Sequence, residues 1–207
     1  MAVGIVGAGR LGKILARLIS RSGRIVEVCN SCGPMSLADL GLAFGVTDVL
    51  VDQDIVLLAI PFCNHPQLAR NLFANKIIID SMNYDLASDG PIPPLDSGLV
   101  TSSELVAMHF SASSVIKAFN TLPAALLAGM ATPERLIPDR QAIFIAGDDL
   151  RAKSIVAGLA EDCGYAPVDT GSLKEGGQLQ IPGGPLFGRA MTGRMAEKHK
   201  SDGWLTL

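Results

Sequence analysis

Gly7-Ala8-Gly9-Arg10-Leu11-Gly12 is the stretch whose residue types and spacing suit a definite chemistry, the cradling of a pyrophosphate. Gly7 permits a tight turn, Gly9 lets the backbone approach the phosphates, and Gly12 lets a following helix pack close to the strand before it. The helix's unpaired N–H groups and its dipole then face the anion. Ala8, Arg10 and Leu11 complete the loop, and all six residues are read as cofactor-binding.

Some twenty residues further on, an NAD site usually places an Asp or Glu to accept from the ribose 2'-hydroxyl. Here the chain has Asn30, Ser31 and Cys32. Without a carboxylate a 2'-phosphate is tolerated, and Asn30 and Ser31 offer it hydrogen bonds, so NADP(H) is favoured over NAD(H). No arginine stands between Arg24 and Cys32 to clamp that phosphate; Arg10 could reach over from the glycine loop.

A nicotinamide cofactor brings hydride transfer, in which positioning supplies much of the acceleration. The candidates are few. Lys117 is an unusual charge within an apolar strand; it either faces the crevice or lies at a strand edge. His65 follows Pro61-Phe62 and is either a proton donor or a helix-start residue. Asn120, at a strand end, suits a carboxamide or carbonyl. His109 is expected to pack on an apolar helix face, and Asp148 and Asp149 to cap a helix. Cys29 and Cys32 form a Cys-x-x-Cys, but Cys63 and Cys163 supply no second close pair, so we expect reduced, structural cysteines and no metal.

The elements that must position these residues alternate between strand and helix. Ala2–Val6 and Ile25–Cys29 read as strands around a helix carrying Leu11, Ile14, Leu15, Leu18 and Ile19 at helical spacing. A short helix is expected over Ser36–Phe44 after Gly33-Pro34, a buried strand over Asp54–Ile60, a helix over about His65–Ala74 and a strand over Lys76–Asp80. Tyr84–Leu99 reads as a surface loop, and Thr101–Glu104 as a capping box opening a helix. Val115–Phe119, Gln141–Ala146 and Ala166–Asp169 are further strands, with a small helix after Pro123 and a longer one over Asp149–Cys163.

This pattern predicts an α/β Rossmann fold, a doubly wound and mostly parallel sheet, with a short C-terminal helical and loop extension. Residues 1–170 form the nucleotide-binding domain. Residues 171–207, with Gly176-Gly177 and Pro182-Gly183-Gly184-Pro185, are read as a lid or a dimer contact rather than an independent domain. Ligands in such sheets bind beyond the carboxyl ends of the strands, so the segments around Gly7–Gly12, Asn30–Cys32, Ile60–Cys63, Ser81–Asn83 and Asn120–Pro123 should converge.

Composition excludes other classes. With 207 residues, 48% of them hydrophobic, the chain can bury a sizeable core. A formal charge of -3 and no basic run argue against nucleic acid or an anionic membrane. Only 18% of residues are charged, which suggests apolar surface covered in a homodimer. No apolar run approaches the roughly 18 residues of a membrane span, and the first strand follows Met1 directly, so a cytoplasmic protein is expected.

Taken together, GIVGAGRLG, NSCGP, LLAIPF, IIIDSMNYD, TSSELV, VIKAFNTLPA, FIAGDD and GGQLQIPGGPL resemble the coenzyme F420-dependent NADP reductase family. The resemblance implies an NADP(H)-dependent oxidoreductase that moves hydride between the nicotinamide and a planar acceptor such as a 5-deazaflavin (F420) or a flavin. It places the nicotinamide near Ile60-Pro61 and Ala118–Asn120, and the 2'-phosphate on Asn30-Ser31-Cys32; Ala59 and Asn83 are also read as cofactor-binding. Relatives commonly carry Ser-Arg where this chain has Ser31-Cys32. Two alternatives stand beside it: a small carbonyl or imine reductase using Lys117 or His65 as acid, and a non-catalytic module that senses NADP(H).

Overall fold

The structure, a computed structural model, describes residues 2–31 and 53–204. Cys32, the Gly33-Pro34 break and the helix expected over Ser36–Phe44 lie outside the described residues. Strand β1 (Val3–Val6) leads through the glycine loop into helix α1 (Arg10–Arg21) and then β2 (Val26–Cys29). The apolar spacing of α1 puts Leu15, Ala16, Leu18 and Ile19 on one buried stripe.

Strands β3 (Ile55–Leu58) and β4 (Ile77–Asp80) are nearly all apolar because both sheet faces are covered. In β3 the pleat sends Ile55 and Leu57 into the core beneath α1, while Val56 and Leu58 join Phe62, Phe73, Val106 and Phe110 on the other face. Helix α2 (Ser102–His109) opens with the expected capping box: the Thr101 N–H donates to Glu104 Oε2 at 2.7 Å, and the Glu104 N–H to Thr101 Oγ1 at 3.2 Å. There follow β5 (Ser114–Lys117), α3 (Ala124–Met130), β6 (Ala142–Gly147), α4 (Leu150–Asp162), β7 (Ala166–Gly171), α5 (Glu175–Gln180) and α6 (Gly193–Ser201).

The described strands make one sheet in the order β2-β1-β3-β4-β5-β6-β7. All its pairs are parallel except β5 with β6. The fold is thus the doubly wound Rossmann type, with its switch point between β1 and β3. Register puts Cys29, Val6, Leu58, Asp80 and Lys117 in one row across five neighbouring strands, so the residues that follow them leave the sheet along a single edge.

Several local expectations change. The helix expected over His65–Ala74 is two 3-10 segments, Phe62–Gln67 and Arg70–Phe73, separated by extended backbone at Leu68 and Ala69. Pro66 lacks a donor and pushes His65 away from α geometry, which leaves no regular α-helical ladder. The loop Tyr84–Leu99 contains single helical turns at Leu86–Asp89 and Pro93–Asp96.

Strand β5 stops at Lys117, short of the expected Phe119, which takes a left-handed φ of 61°. Its ring is buried, edge-on to Tyr165, and that burial holds a backbone conformation that is otherwise costly. Asp149 caps α4 by accepting from the Arg151 and Ala152 N–H groups, whereas Asp148 accepts from Leu173. Gly176 and Gly177 lie inside α5 rather than in a loose loop: a Cβ at Gly176 would stand 2.5 Å from Thr170 Oγ1, so glycine there permits close packing on β7.

Candidate functional site

At the β1/β3 switch point the chain runs from Val6 into Gly7, whose φ of 112° and whose close approach to Ala59 both require glycine. Gly12 packs directly on that turn: a Cβ there would lie 1.9 Å from the Gly7 carbonyl oxygen. Between them Gly9 is the N-cap of α1 with no side-chain cap, and a Cβ on it would meet only open space. The first-turn N–H groups of a twelve-residue helix are therefore left for an anion above the strand ends, and the cradle has the shape and donors for a pyrophosphate.

A cleft of about 510 Å³ opens over this turn. It is lined by Val6, Gly7, Ala8 and Gly9 from the loop, Asn30 and Ser31 beyond β2, Ala59, Ile60 and Pro61 beyond β3, and Asn64, Gln67 and Leu68 from the first 3-10 segment and its end. Arg10 is exposed at the start of α1, and Leu11 packs partly against the core. The last three lining residues escaped the sequence reading. Their signal was the polar pair Asn64 and Gln67 after Pro61, which an α-helical reading of that segment spreads over a solvent face.

Asn83 and Asn120 lie farther along the same sheet edge and do not line that cleft. They interlock: Asn83 Nδ2 donates to the Asn120 carbonyl at 2.9 Å, and Asn120 Nδ2 donates to Asn83 Oδ1 at 3.0 Å. Asn120 Nδ2 also donates to the Gln180 carbonyl at 2.9 Å, tying α5 to the strand end. Asn83 is half-buried, whereas Asn120 Oδ1 is buried without a hydrogen-bond partner among the described residues. Ala118 is fully buried in the core, so only its backbone stands near this edge.

Lys117 does not face the crevice, nor is it a strand edge. Its side chain is fully buried, and Nζ donates to Asp80 Oδ2 at 3.2 Å and to the Met82 carbonyl at 2.5 Å. An ammonium so engaged has no path to a substrate.

His65 is likewise displaced from the role of proton donor. It is only 5% exposed, with Nδ1 at 2.7 Å from the Phe62 carbonyl and its ring between those of Phe62 and His109. A carbonyl only accepts, so Nδ1 carries the proton. Burial pushes the His65 pKa below its usual 6.5, against a smaller raising effect of the Phe62 carbonyl. His109, half-buried, sets Nε2 at 3.0 Å from the Leu68 carbonyl, so the two histidines pin both ends of the segment that supplies Asn64 and Gln67.

The shift at His65 has a thermodynamic consequence. Below about pH 6.5 the unfolded chain takes up a proton that the native ring resists, so stability is full above that pH and falls as pH drops further. The urea midpoint should decline between pH 7 and 5, and His65→Gln should flatten the decline. An equally steep decline in that variant would refute the assignment.

Burial pushes the Cys29 thiol up to about 11 and the Cys163 thiol up to about 12. Both stay protonated at neutral pH, which suits packing rather than nucleophilic or redox chemistry. No group of three or more potential metal ligands occurs among the described residues, and none of their helices is long and apolar enough to cross a membrane.

The family described as NADP oxidoreductase, coenzyme F420-dependent, matches residues 2–84. Hypothetical protein SMa0349 from Sinorhizobium meliloti has a solved structure that superposes with a TM-score of 0.82 at 30% identity, covering 93% of this chain and 95% of that one. A protein from Arthrobacter sp. FB24, assigned as an F420-dependent NADP-reductase, shares the fold at a TM-score of 0.71 and 21% identity, over 93% of this chain and 99% of that one. Metalloreductase STEAP3 of Rattus norvegicus is 30% identical over 190 residues, 86% of this chain. The chain spans only 35% of the length of that relative.

Proposed function

Because this chain belongs to the family of coenzyme F420-dependent NADP oxidoreductases, we propose that it binds NADP(H) in the cleft over Gly7–Gly12 and transfers hydride between the nicotinamide and a planar acceptor, a 5-deazaflavin or a flavin. The observation that carries the reading is the uncapped first turn of α1, set by Gly7 and Gly12 against the β1/β3 switch point. NADP(H), when bound, supplies the hydride. The chain's own part is positional: backbone N–H groups of the loop hold the pyrophosphate, Asn30 and Ser31 face the ribose phosphate, and Ile60 and Pro61 wall the space leading toward Asn83.

The rival reading, a small carbonyl or imine reductase, requires a general acid at the cleft. Lys117 and His65, the acids available to it, are both buried and engaged elsewhere, which supports positioning chemistry instead. Oxidation of NADPH by a panel of F420, FMN, FAD and quinones tests the proposal, with deuterium from the nicotinamide expected in the reduced acceptor. No turnover with any of them, together with tight NADPH binding, would favour a sensing module.

Cofactor choice follows from the 2'-phosphate end. A charge-assisted hydrogen bond contributes about 1.5–3 kcal/mol, so a site with Cys32 in place of an arginine discriminates roughly 10-fold to 100-fold less. NADPH should bind more tightly than NADH by a modest factor, with Cys32→Arg widening the gap and Arg10→Ala narrowing it. Calorimetric titration decides: equal or tighter NADH binding by the unmodified protein would sink this account. Exposed Leu99, Leu136 and Leu150 support the further proposal of a homodimer, which light scattering tests.

A further inference from the structure

Beneath Asn83 and Asn120 lies an ion pair with both side chains fully buried. Desolvating two charges is costly, and apolar side chains of similar volume often stabilise a core as well or better, so stability does not account for it. What it holds is more telling. Asp80 Oδ1 accepts from the Met82 N–H at 3.0 Å, and Lys117 Nζ donates to the Met82 carbonyl at 2.5 Å. Both polar groups of one backbone residue are thus held by the two partners of the pair. Ser103 Oγ, from the first turn of α2, donates to Asp80 Oδ2 at 2.5 Å and fixes the carboxylate's rotation. The next residue is Asn83, whose side chain is already interlocked with Asn120.

We propose that Lys117 and Asp80 are positioning residues: through the backbone of Met82 they set Asn83 on the sheet edge beyond the Ile60-Pro61 wall of the cleft, where the nicotinamide half of bound NADP(H) would extend. The inference rests on the NADP(H)-binding reading. It gives Lys117 a role that requires no contact with substrate.

The test uses Lys117→Met/Asp80→Asn, which removes both charges together and keeps an amide oxygen for the Met82 N–H. Asn83→Ala and the triple variant complete the set. Two ligands are titrated: NADPH, followed by emission of its dihydronicotinamide ring, and adenosine 2',5'-bisphosphate, which has only the adenosine half. NADPH affinity should fall about fivefold in Lys117→Met/Asp80→Asn, with bisphosphate affinity within about twofold of the unmodified protein. The triple variant should bind NADPH no more weakly than Asn83→Ala, since residues acting through one another are not additive.

Equal losses for both ligands, no loss for either, or an additive triple variant would overturn the proposal. Ser103→Ala, which keeps both charges, guards against a double variant that does not fold; it should weaken NADPH about twofold to threefold, and unchanged NADPH affinity there also overturns the proposal. Failure of the unmodified protein to bind either ligand would be a different result, refuting the NADP(H) reading itself.

Discussion

Gly12→Ala should weaken NADPH binding at least 100-fold and lower the stability of the free protein as well. The added Cβ would stand 1.9 Å from the Gly7 carbonyl oxygen and 3.0 Å from the carbonyl carbon, contacts that only a shift of backbone can relieve. Overpacking of ordinary side chains costs about 1–3 kcal/mol, and a clash with a main-chain carbonyl, which cannot swing aside, belongs at the upper end or above. About 3 kcal/mol corresponds to a little over 100-fold in an equilibrium constant. The helix would have to lift off β1 and carry its first-turn N–H groups out of place.

Gly9→Ala is the informative contrast. Its Cβ meets nothing within 4 Å, and its φ of -69° suits alanine, so stability should stay within about 0.5 kcal/mol. The methyl instead enters the space of the cleft, and NADPH affinity should fall about tenfold. Calorimetric titration with a parallel thermal melt reads both variants. A Gly12→Ala protein with NADPH affinity within threefold of the unmodified chain would refute the cradle.

Lys117→Met by itself should destabilise the protein by about 3–5 kcal/mol, because it leaves the Asp80 carboxylate fully buried with its counter-charge gone. That is a large share of the 5–15 kcal/mol typical of a whole domain. Asp80→Asn in the same chain removes the orphaned charge and should recover most of the loss. Urea denaturation of the single and paired variants measures the difference. A single variant within about 1 kcal/mol of the unmodified protein would show that the ion pair is not as dry as its geometry implies.

The strand, glycine turn and helix at Val3–Arg21 were legible in the sequence because each signal there is local. A β-branched run, three glycines at fixed offsets and an apolar stripe at helical spacing describe their own neighbourhood without reference to the rest of the chain. The capping box at Thr101–Glu104 was legible for the same reason. The fold class followed from alternation, since apolar strands too uniform to face water must be covered on both faces.

The fates of Lys117, His65 and the Gly176-Gly177 pair could not be read that way. Lys117 marks an oddity in a strand, but its partner Asp80 lies 37 residues away, and only the pairing of β4 with β5 brings them into the same register row. His65 looks like a residue at the mouth of a crevice until Pro66 breaks the helix and turns its ring against His109 from α2. Gly176 and Gly177 have the composition of a flexible loop, yet they belong to a helix, Gly176 packed on Thr170 and Gly177 facing Thr101. By itself, the amino-acid sequence determined that this protein carries a strand, glycine turn and helix of the dinucleotide-binding type and a doubly wound sheet, because turns, caps and periodicity act over a few residues. Which polar groups face the cleft and which are locked beneath it was decided only by the tertiary structure, because burial and partnership depend on residues that strand pairing brings together from far apart in the chain.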